Sequence, residues 1–148
     1  MSVRVRDFHV GDLGRVLEIE RRTFPVPWSA LEFLHAYTSD RSSIVVAELD
    51  GKVVGYAVFE LQRRRGKLVG HLTNLAVDEA YRRRGVGSSL LAECLRRMRE
   101  AGCSTVRLEV REGNTAARAF YEKHGFREVG KVRLYYGDED AVVMELEL

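Results

Sequence analysis

The residues able to do chemistry in this chain fall into two groups. The first is the turn Arg82-Arg83-Arg84-Gly85-Val86-Gly87-Ser88, which follows a β-rich run and opens a helical pattern. Gly85 and Gly87 lack side chains, so an anion can approach the backbone amides closely. The N-terminus of the following helix adds unpaired N–H donors and the positive end of its dipole, and three arginines add charge. Together these make a cradle for a diphosphate, and on this reading a valine at position 87 would block the anion. A Gly-Lys-Ser/Thr phosphate loop is excluded because that ending is absent. A dinucleotide fingerprint is excluded because it requires three glycines at fixed spacing. The chain carries its own control, since Arg-Arg-Arg-Gly recurs at 63–66. That copy lies between two strands with no helix behind it, and it reads as a solvated hairpin turn.

The second group is Glu109, Asn114, Tyr121 and His71. A carboxylate and a phenol can serve as base and acid when both reach the reacting atoms. Each residue also has a plain structural reading. Glu109 can be the outward residue of an alternating strand, Asn114 an N-cap, Tyr121 a core aromatic and His71 an ordinary strand histidine. His124, just before Gly125, is placed to interact with a helix C-terminus. No Ser/His/Asp or Cys/His arrangement stands out. Cys94 and Cys103 show no metal-ligand spacing and read as core thiols, so no metal is expected.

These residues need elements to hold them. Val3–Arg6 reads as a short strand, and Leu13, Val16, Leu17 and Ile19-Glu20 as a helix ending near Phe24-Pro25-Val26-Pro27. Ser29 is a good N-cap for a second helix through Tyr37. Ile44–Leu49 and Val53–Leu61 read as strands joined by Asp50-Gly51, a hairpin signal. Leu68–Val77 is a fourth strand. Val86, Leu90, Leu91, Cys94, Leu95 and Met98 fall on one face of a helix that Gly102 stops. Val106–Val110 is a strand, and Thr115–Lys123 a helix behind Asn114. Two last strands, Phe126–Tyr136 and Ala141–Leu148, turn at Gly137-Asp138. The order β-α-α-β-β-β-α-β-α-β-β predicts one mixed α/β domain over 1–148, with a sheet of six or seven strands.

Composition sets the class. The chain has 148 residues, 45% hydrophobic and 31% charged, which is ordinary for a globular domain. The net charge is +2, so any basic function must come from local clustering. The N-terminus lacks a signal-peptide pattern and no stretch is long and apolar enough to span a bilayer, which points to the cytoplasm.

The Arg82-x-x-Gly85-x-Gly87 turn, together with the block from Glu109 through Asn114, Phe120, Tyr121 and Gly125-Phe126, resembles the GNAT superfamily of N-acetyltransferases. The element order resembles that fold across the whole chain. Within the superfamily the sequence is most similar to the RimI-type ribosomal-protein alanine N-acetyltransferases and the archaeal and eukaryotic N-terminal acetyltransferases. Phe24-Pro25-Val26-Pro27-Trp28-Ser29, Leu108-Glu109-Val110-Arg111, and Tyr135-Tyr136 followed by Glu139-Asp140-Ala141 carry that narrower likeness. The resemblance implies acetyl-CoA as acyl donor. It implies a strand that splays from its neighbour, with Leu75, Ala76 and Val77 on the pantetheine arm. It places Arg82, Arg83, Arg84, Gly85, Val86, Gly87 and Ser88 on the pyrophosphate, and Asn114 and Tyr121 by the thioester. It implies Glu109 as general base and Tyr121 as general acid. His71, at the start of the cofactor strand, is placed on the substrate side where it could assist proton removal.

The acceptor implied is the N-terminal amine of a protein or peptide, such as a ribosomal protein. Phe24, Pro25 and Val26 would wall its first side chain, and Tyr135 and Tyr136 would hold its backbone. Other acceptors remain open at this point: a lysine side chain, a polyamine or a small-molecule amine. So do two readings of other classes, an acetyl-CoA sensor without catalysis and a nucleic-acid-binding module built on the arginines. The net charge and the lack of an aromatic–basic face speak against the last.

Overall fold

Local chemistry sets where the elements begin and end. The computed structural model describes residues 2–148. It contains β1 (Arg4–Asp7), α1 (Leu13–Thr23), α2 (Ala30–Thr38), β2 (Ser42–Leu49), β3 (Lys52–Arg64) and β4 (Lys67–Val77). These are followed by α3 (Val86–Ala101), β5 (Thr105–Arg111), α4 (Thr115–Lys123), β6 (Arg127–Val132) and β7 (Ala141–Glu147). Ser29 opens α2 with a full capping box, its hydroxyl accepting from the Glu32 amide while Glu32 accepts from the Ser29 amide. Asn114 caps α4 through the Ala117 amide at 3.1 Å. Gly102 ends α3 in the left-handed region at φ 94°. Asp50 and Gly51 both take positive φ, as the β2–β3 hairpin turn requires.

The last strands depart from expectation. β6 stops at Val132, and residues 133–140 form a loop, so Tyr135 and Tyr136 are loop residues rather than strand residues. Leu134 takes a left-handed conformation at φ 51°, and its amide donates to Asp140 Oδ1 at 2.8 Å. That turn withdraws the chain from β7 before the tyrosines are reached.

The seven strands form one sheet in the order β1-β2-β3-β4-β5-β7-β6. Every neighbouring pair is antiparallel except β4–β5. One face packs against α3 and α4 through Leu90, Leu91, Met98, Leu108, Val110 and Tyr121. The other packs against α1 and α2 through Val16, Ile19, Phe33, Val46, Tyr56 and Ala76. Cys94 and Cys103 are free and buried, as expected of core thiols, and burial pushes the Cys94 thiol up to about 12. Among the described residues no helix is long and apolar enough to cross a membrane.

β4 and β5 pair over only three positions, Val69–Thr105, Gly70–Val106 and His71–Arg107. Just beyond them β4 carries a bulge, because Phe59 of β3 faces Leu72 while the adjacent Val58 faces Asn74, leaving Thr73 extra. A bulge bends its strand and sharpens the local twist. The two strands part there. Close approach at the last paired stretch depends on Gly70, where an added Cβ would meet Met98 Sδ and lie 2.9 Å from Met98 Cγ. Gly70→Ala is therefore expected to cost about 1–3 kcal/mol by overpacking. Urea denaturation measures this, and an unchanged midpoint would show that Met98 swings aside freely.

Candidate active site

Past His71, β4 pairs only with β3, and past Arg107, β5 pairs only with β7. The backbone groups that line the resulting gap on β4, over 72–77, have no strand partner on that side. Such groups need hydrogen-bond partners. An extended ligand carrying amides can supply them by lying in the gap. At the far end of β4 the chain passes through a 3-10 turn at Glu79–Tyr81 and reaches the arginines.

The cradle is built as its residue types suggest. Gly85 takes φ 78° as the N-cap of α3. The first helical bond, Ser89 amide to Gly85 carbonyl at 3.0 Å, leaves the amides of Val86, Gly87 and Ser88 ahead of it. Among the described residues no carboxylate pairs with Arg82, Arg83 or Arg84. Arg82 Nε donates to the Val77 carbonyl at 3.3 Å, and the Arg84 guanidinium lies 5.3 Å from the Tyr81 ring centroid. Free donors, unneutralised charge and a helix N-terminus together fit a diphosphate. The Arg63–Gly66 copy has none of this backbone, since it turns β3 into β4.

One glycine serves a different purpose from the one expected. A Cβ on Gly87 would point at Phe120 Cζ, 3.3 Å away, and at Val77 Cγ2, 3.7 Å away, rather than into the cradle. Gly87 lets α3 approach α4, whereas Gly85 supplies the backbone conformation. His124 caps the C-terminus of α4 as expected, its amide donating to the Tyr121 carbonyl at 3.0 Å. Its Nε2 lies 3.0 Å from Ser88 Oγ, so it braces the cradle across α4 and α3.

Glu109 stands on β5 between Leu108 and Val110, which face α3 and α4, so it faces the opposite side of the sheet. There His71 Nε2 lies 2.6 Å from Glu109 Oε1, and Arg107 Nε lies 3.5 Å from Oε2. Burial alone would raise the carboxyl. The hydrogen bond with His71 and the nearby Arg107 guanidinium outweigh it and hold Glu109 below the usual carboxylate range. Tyr121 lies on the other side of β5, 9% exposed and packed against Phe120 and Phe126. Burial pushes its hydroxyl well above an ordinary phenol, so it stays a neutral donor. The fold thus brings His71 and Glu109 together and sets Tyr121 across the strand from them. Asn114 uses its side-chain oxygen on the cap.

Two loops flank the Glu109 side. Phe24 is half-buried, while Pro25 and Val26 are exposed. In the 133–140 loop Tyr135 and Tyr136 stack edge to face at 4.9 Å. Tyr136 lies over the Arg111 guanidinium at 4.4 Å, and burial raises its hydroxyl to about 12. Burial and the Glu109 carboxylate raise that of Tyr135. Glu139 latches this loop, accepting from the Gly113 amide at 2.6 Å and pairing with Arg111 at 3.2 Å. A cleft of about 340 Å³, lined in part by Trp28, His35, Glu60 and Thr73, lies between α2 and the sheet. Sequence reasoning missed Glu20, Tyr56 and Asn74, which cluster in the core beneath the Phe24 loop. The only available signal was a glutamate on the apolar stripe of α1.

The model of the acetyltransferase (GNAT) family matches residues 13–126. The chain belongs to the GNAT family. An N-alpha-acetyltransferase of Sulfurisphaera tokodaii is 36% identical, covering 98% of this chain and 93% of the relative. The ribosomal protein bS18-alanine N-acetyltransferase of Escherichia coli is 34% identical, covering 93% of this chain and 92% of the relative. The crystal structure of Ard1 from Thermoplasma volcanium superposes with a TM-score of 0.92 at 31% identity, covering 100% of this chain and 99% of that one. This GNAT protein is accordingly an acetyl-CoA-dependent N-acetyltransferase.

In this GNAT domain Gly87→Val is expected to lose about 1–3 kcal/mol of stability through collision with Phe120. The double variant with Phe120→Ala should recover part of that loss relative to Phe120→Ala alone. Denaturant unfolding of the four proteins reads the coupling, and additive losses would mean that Phe120 is not what Gly87 accommodates.

Proposed function

We propose that this enzyme acetylates the N-terminal α-amine of a protein or peptide by direct attack in a ternary complex, with residues 1–148 acting as one catalytic domain. The observation that carries the reading is the Glu109–His71 pair at 2.6 Å, seated where β4 and β5 part and flanked by two loops. The relatives named N-alpha-acetyltransferase and ribosomal protein bS18-alanine N-acetyltransferase support this acceptor class, and a ribosomal protein is a candidate within it.

On this reading the amides at Val86–Ser88 and the arginines Arg82, Arg83 and Arg84 hold the pyrophosphate, and the open edge of Leu75, Ala76 and Val77 holds the pantetheine amides. Asn114 borders the thioester end. When bound, acetyl-CoA supplies a thioester and a thiol leaving group. An α-amine has a pKa of about 7.7–8.0, so a large neutral fraction is present near neutrality and a modest base suffices. Glu109, ionised and oriented by His71, accepts a proton from the attacking amine directly or through a water. Tyr121, kept neutral by burial, offers a proton to the departing sulfur from the other side of β5. Base and acid thus reach one gap from opposite faces of the sheet. Phe24, Pro25 and Val26 border the first side chain of the acceptor, and Tyr135 and Tyr136 its backbone.

Three measurements test this. Glu109→Gln should lower kcat by about 10²–10⁴-fold with coenzyme A affinity kept. If the rate barely moves, Glu109 is not the base. Because Glu109 titrates below the usual carboxylate range, kcat/KM should show no Glu109 limb near neutrality. It should rise with pH through about 7.7–8.0 as the α-amine loses its proton, then level off. A limb displaced towards the lysine range would overturn the acceptor assignment. Mass spectrometry of peptides with free and blocked N-termini reads the acceptor itself. Blocking should abolish turnover, and acetylation of an internal lysine would refute the proposal.

A further inference from the structure

Glu20 and Asn74 are the only buried carboxylate or amide side chains among the described residues, and they touch each other. Glu20 is 1% exposed, and among the described residues it has no cationic partner. Three donors converge on its two oxygens. Oε1 accepts from the Tyr56 hydroxyl and from Asn74 Nδ2 at 3.1 Å, and Oε2 accepts from the Trp28 amide at 2.8 Å. Its own backbone carbonyl accepts from the Phe24 amide at 3.0 Å, ending α1. One residue therefore holds both ends of the Phe24–Trp28 segment, the first through its main chain and the last through its carboxylate.

The clamp reaches the sheet as well. Tyr56 lies on β3 opposite Ala76, and Asn74 lies on β4 at the bulge, two residues from Ala76. The bulge at Thr73 matters here, because it puts Asn74 on the α1 side of the sheet only three positions after His71, which also faces that side. An aromatic chain closes the ring, with Trp28 5.1 Å from Phe33 and Phe33 5.6 Å from Tyr56. A buried carboxylate is tolerated only when its lone pairs are satisfied, and losing any one partner is felt strongly.

We propose that Glu20 is the positioning residue of the acceptor site: it fixes the height of the Phe24–Trp28 loop above β4 and so sets which first side chain the enzyme accepts. This rests on the N-terminal acceptor reading above, since the loop matters to catalysis only if the acceptor's first residue lies against it. Glu20 touches neither acceptor nor cofactor in this role. It acts through the loop.

The test uses Glu20→Gln and Tyr56→Phe in the full chain. An amide has one acceptor oxygen where the carboxylate has two, so Glu20→Gln turns an N–H₂ group towards at least one of the three donors. Acceptor KM should rise about tenfold with a smaller change in kcat, and the rate preference between peptides opening with alanine and with leucine should shift by about fivefold or more. Coenzyme A affinity should stay within about twofold, since the cradle is untouched. Trp28 is the only tryptophan, so its emission maximum and iodide quenching report the loop directly, and both should shift with no substrate present. Tyr56→Phe removes one donor without changing volume and should give a smaller change of the same sign; it decides the matter if Glu20→Gln does not fold. Folded variants with unchanged acceptor KM, preference and Trp28 emission would reduce Glu20 to a core residue and overturn the proposal. Wild-type enzyme run alongside separates the two readings. Peptide turnover by the wild type with unaltered selectivity in the variants overturns the clamp alone, whereas absence of any N-terminal turnover overturns the acceptor class and the clamp with it.

Discussion

The site depends on two parallel strands that stay together for three residues and then separate. Parallel pairing of β4 with β5 ends at His71 and Arg107, and the bulge at Thr73 bends β4 away immediately afterwards. Had the pairing continued, the amides and carbonyls of Leu72–Val77 would have been consumed by β5. Because it stops, a polar edge is left inside an otherwise continuous sheet, with α3 packed beneath it. An unpaired edge is a liability in most folds and is usually covered or charged. In the function proposed above, an amide-bearing substrate completes it.

In the mechanism proposed above, the same separation lets chemistry from both faces of the sheet meet. Glu109 points to the α1–α2 side and Tyr121 comes from the α4 side. In a continuous sheet they would be insulated from each other by backbone. Their electrostatic settings also diverge. Glu109 gains a histidine and an arginine and is held ionised, while Tyr121 gains only burial and is held neutral. Two groups driven apart in this way are suited to opposite proton transfers.

The arginines show how little charge alone decides. Neither Arg63–Arg65 nor Arg82–Arg84 forms an ion pair among the described residues, and the tetrapeptides are identical. One copy turns a hairpin. The other precedes the free amides of a helix start. What separates them is the direction in which backbone donors point, a property of the element that follows.

Short-range physics made much of this legible in the sequence. Helix starts at Ser29 and Asn114, the stop at Gly102, the Asp50-Gly51 hairpin and the cradle each follow from a cap, a dihedral preference or a missing side chain acting within a few residues. The apolar stripe of α3 likewise announced its buried face. Only the tertiary structure decided the rest. Tyr135 and Tyr136 fall in a loop because Asp140 captures the Leu134 amide. Gly87 is small because α4 packs against it. Glu109 meets His71, and Glu20 meets Asn74 and Tyr56, across long stretches of chain. A contact between distant residues leaves no period and no local preference, since its energy is realised only when separate elements pack. The sequence alone therefore determined which elements form and where free backbone donors gather at a helix start, and packing determined which side chains share a site.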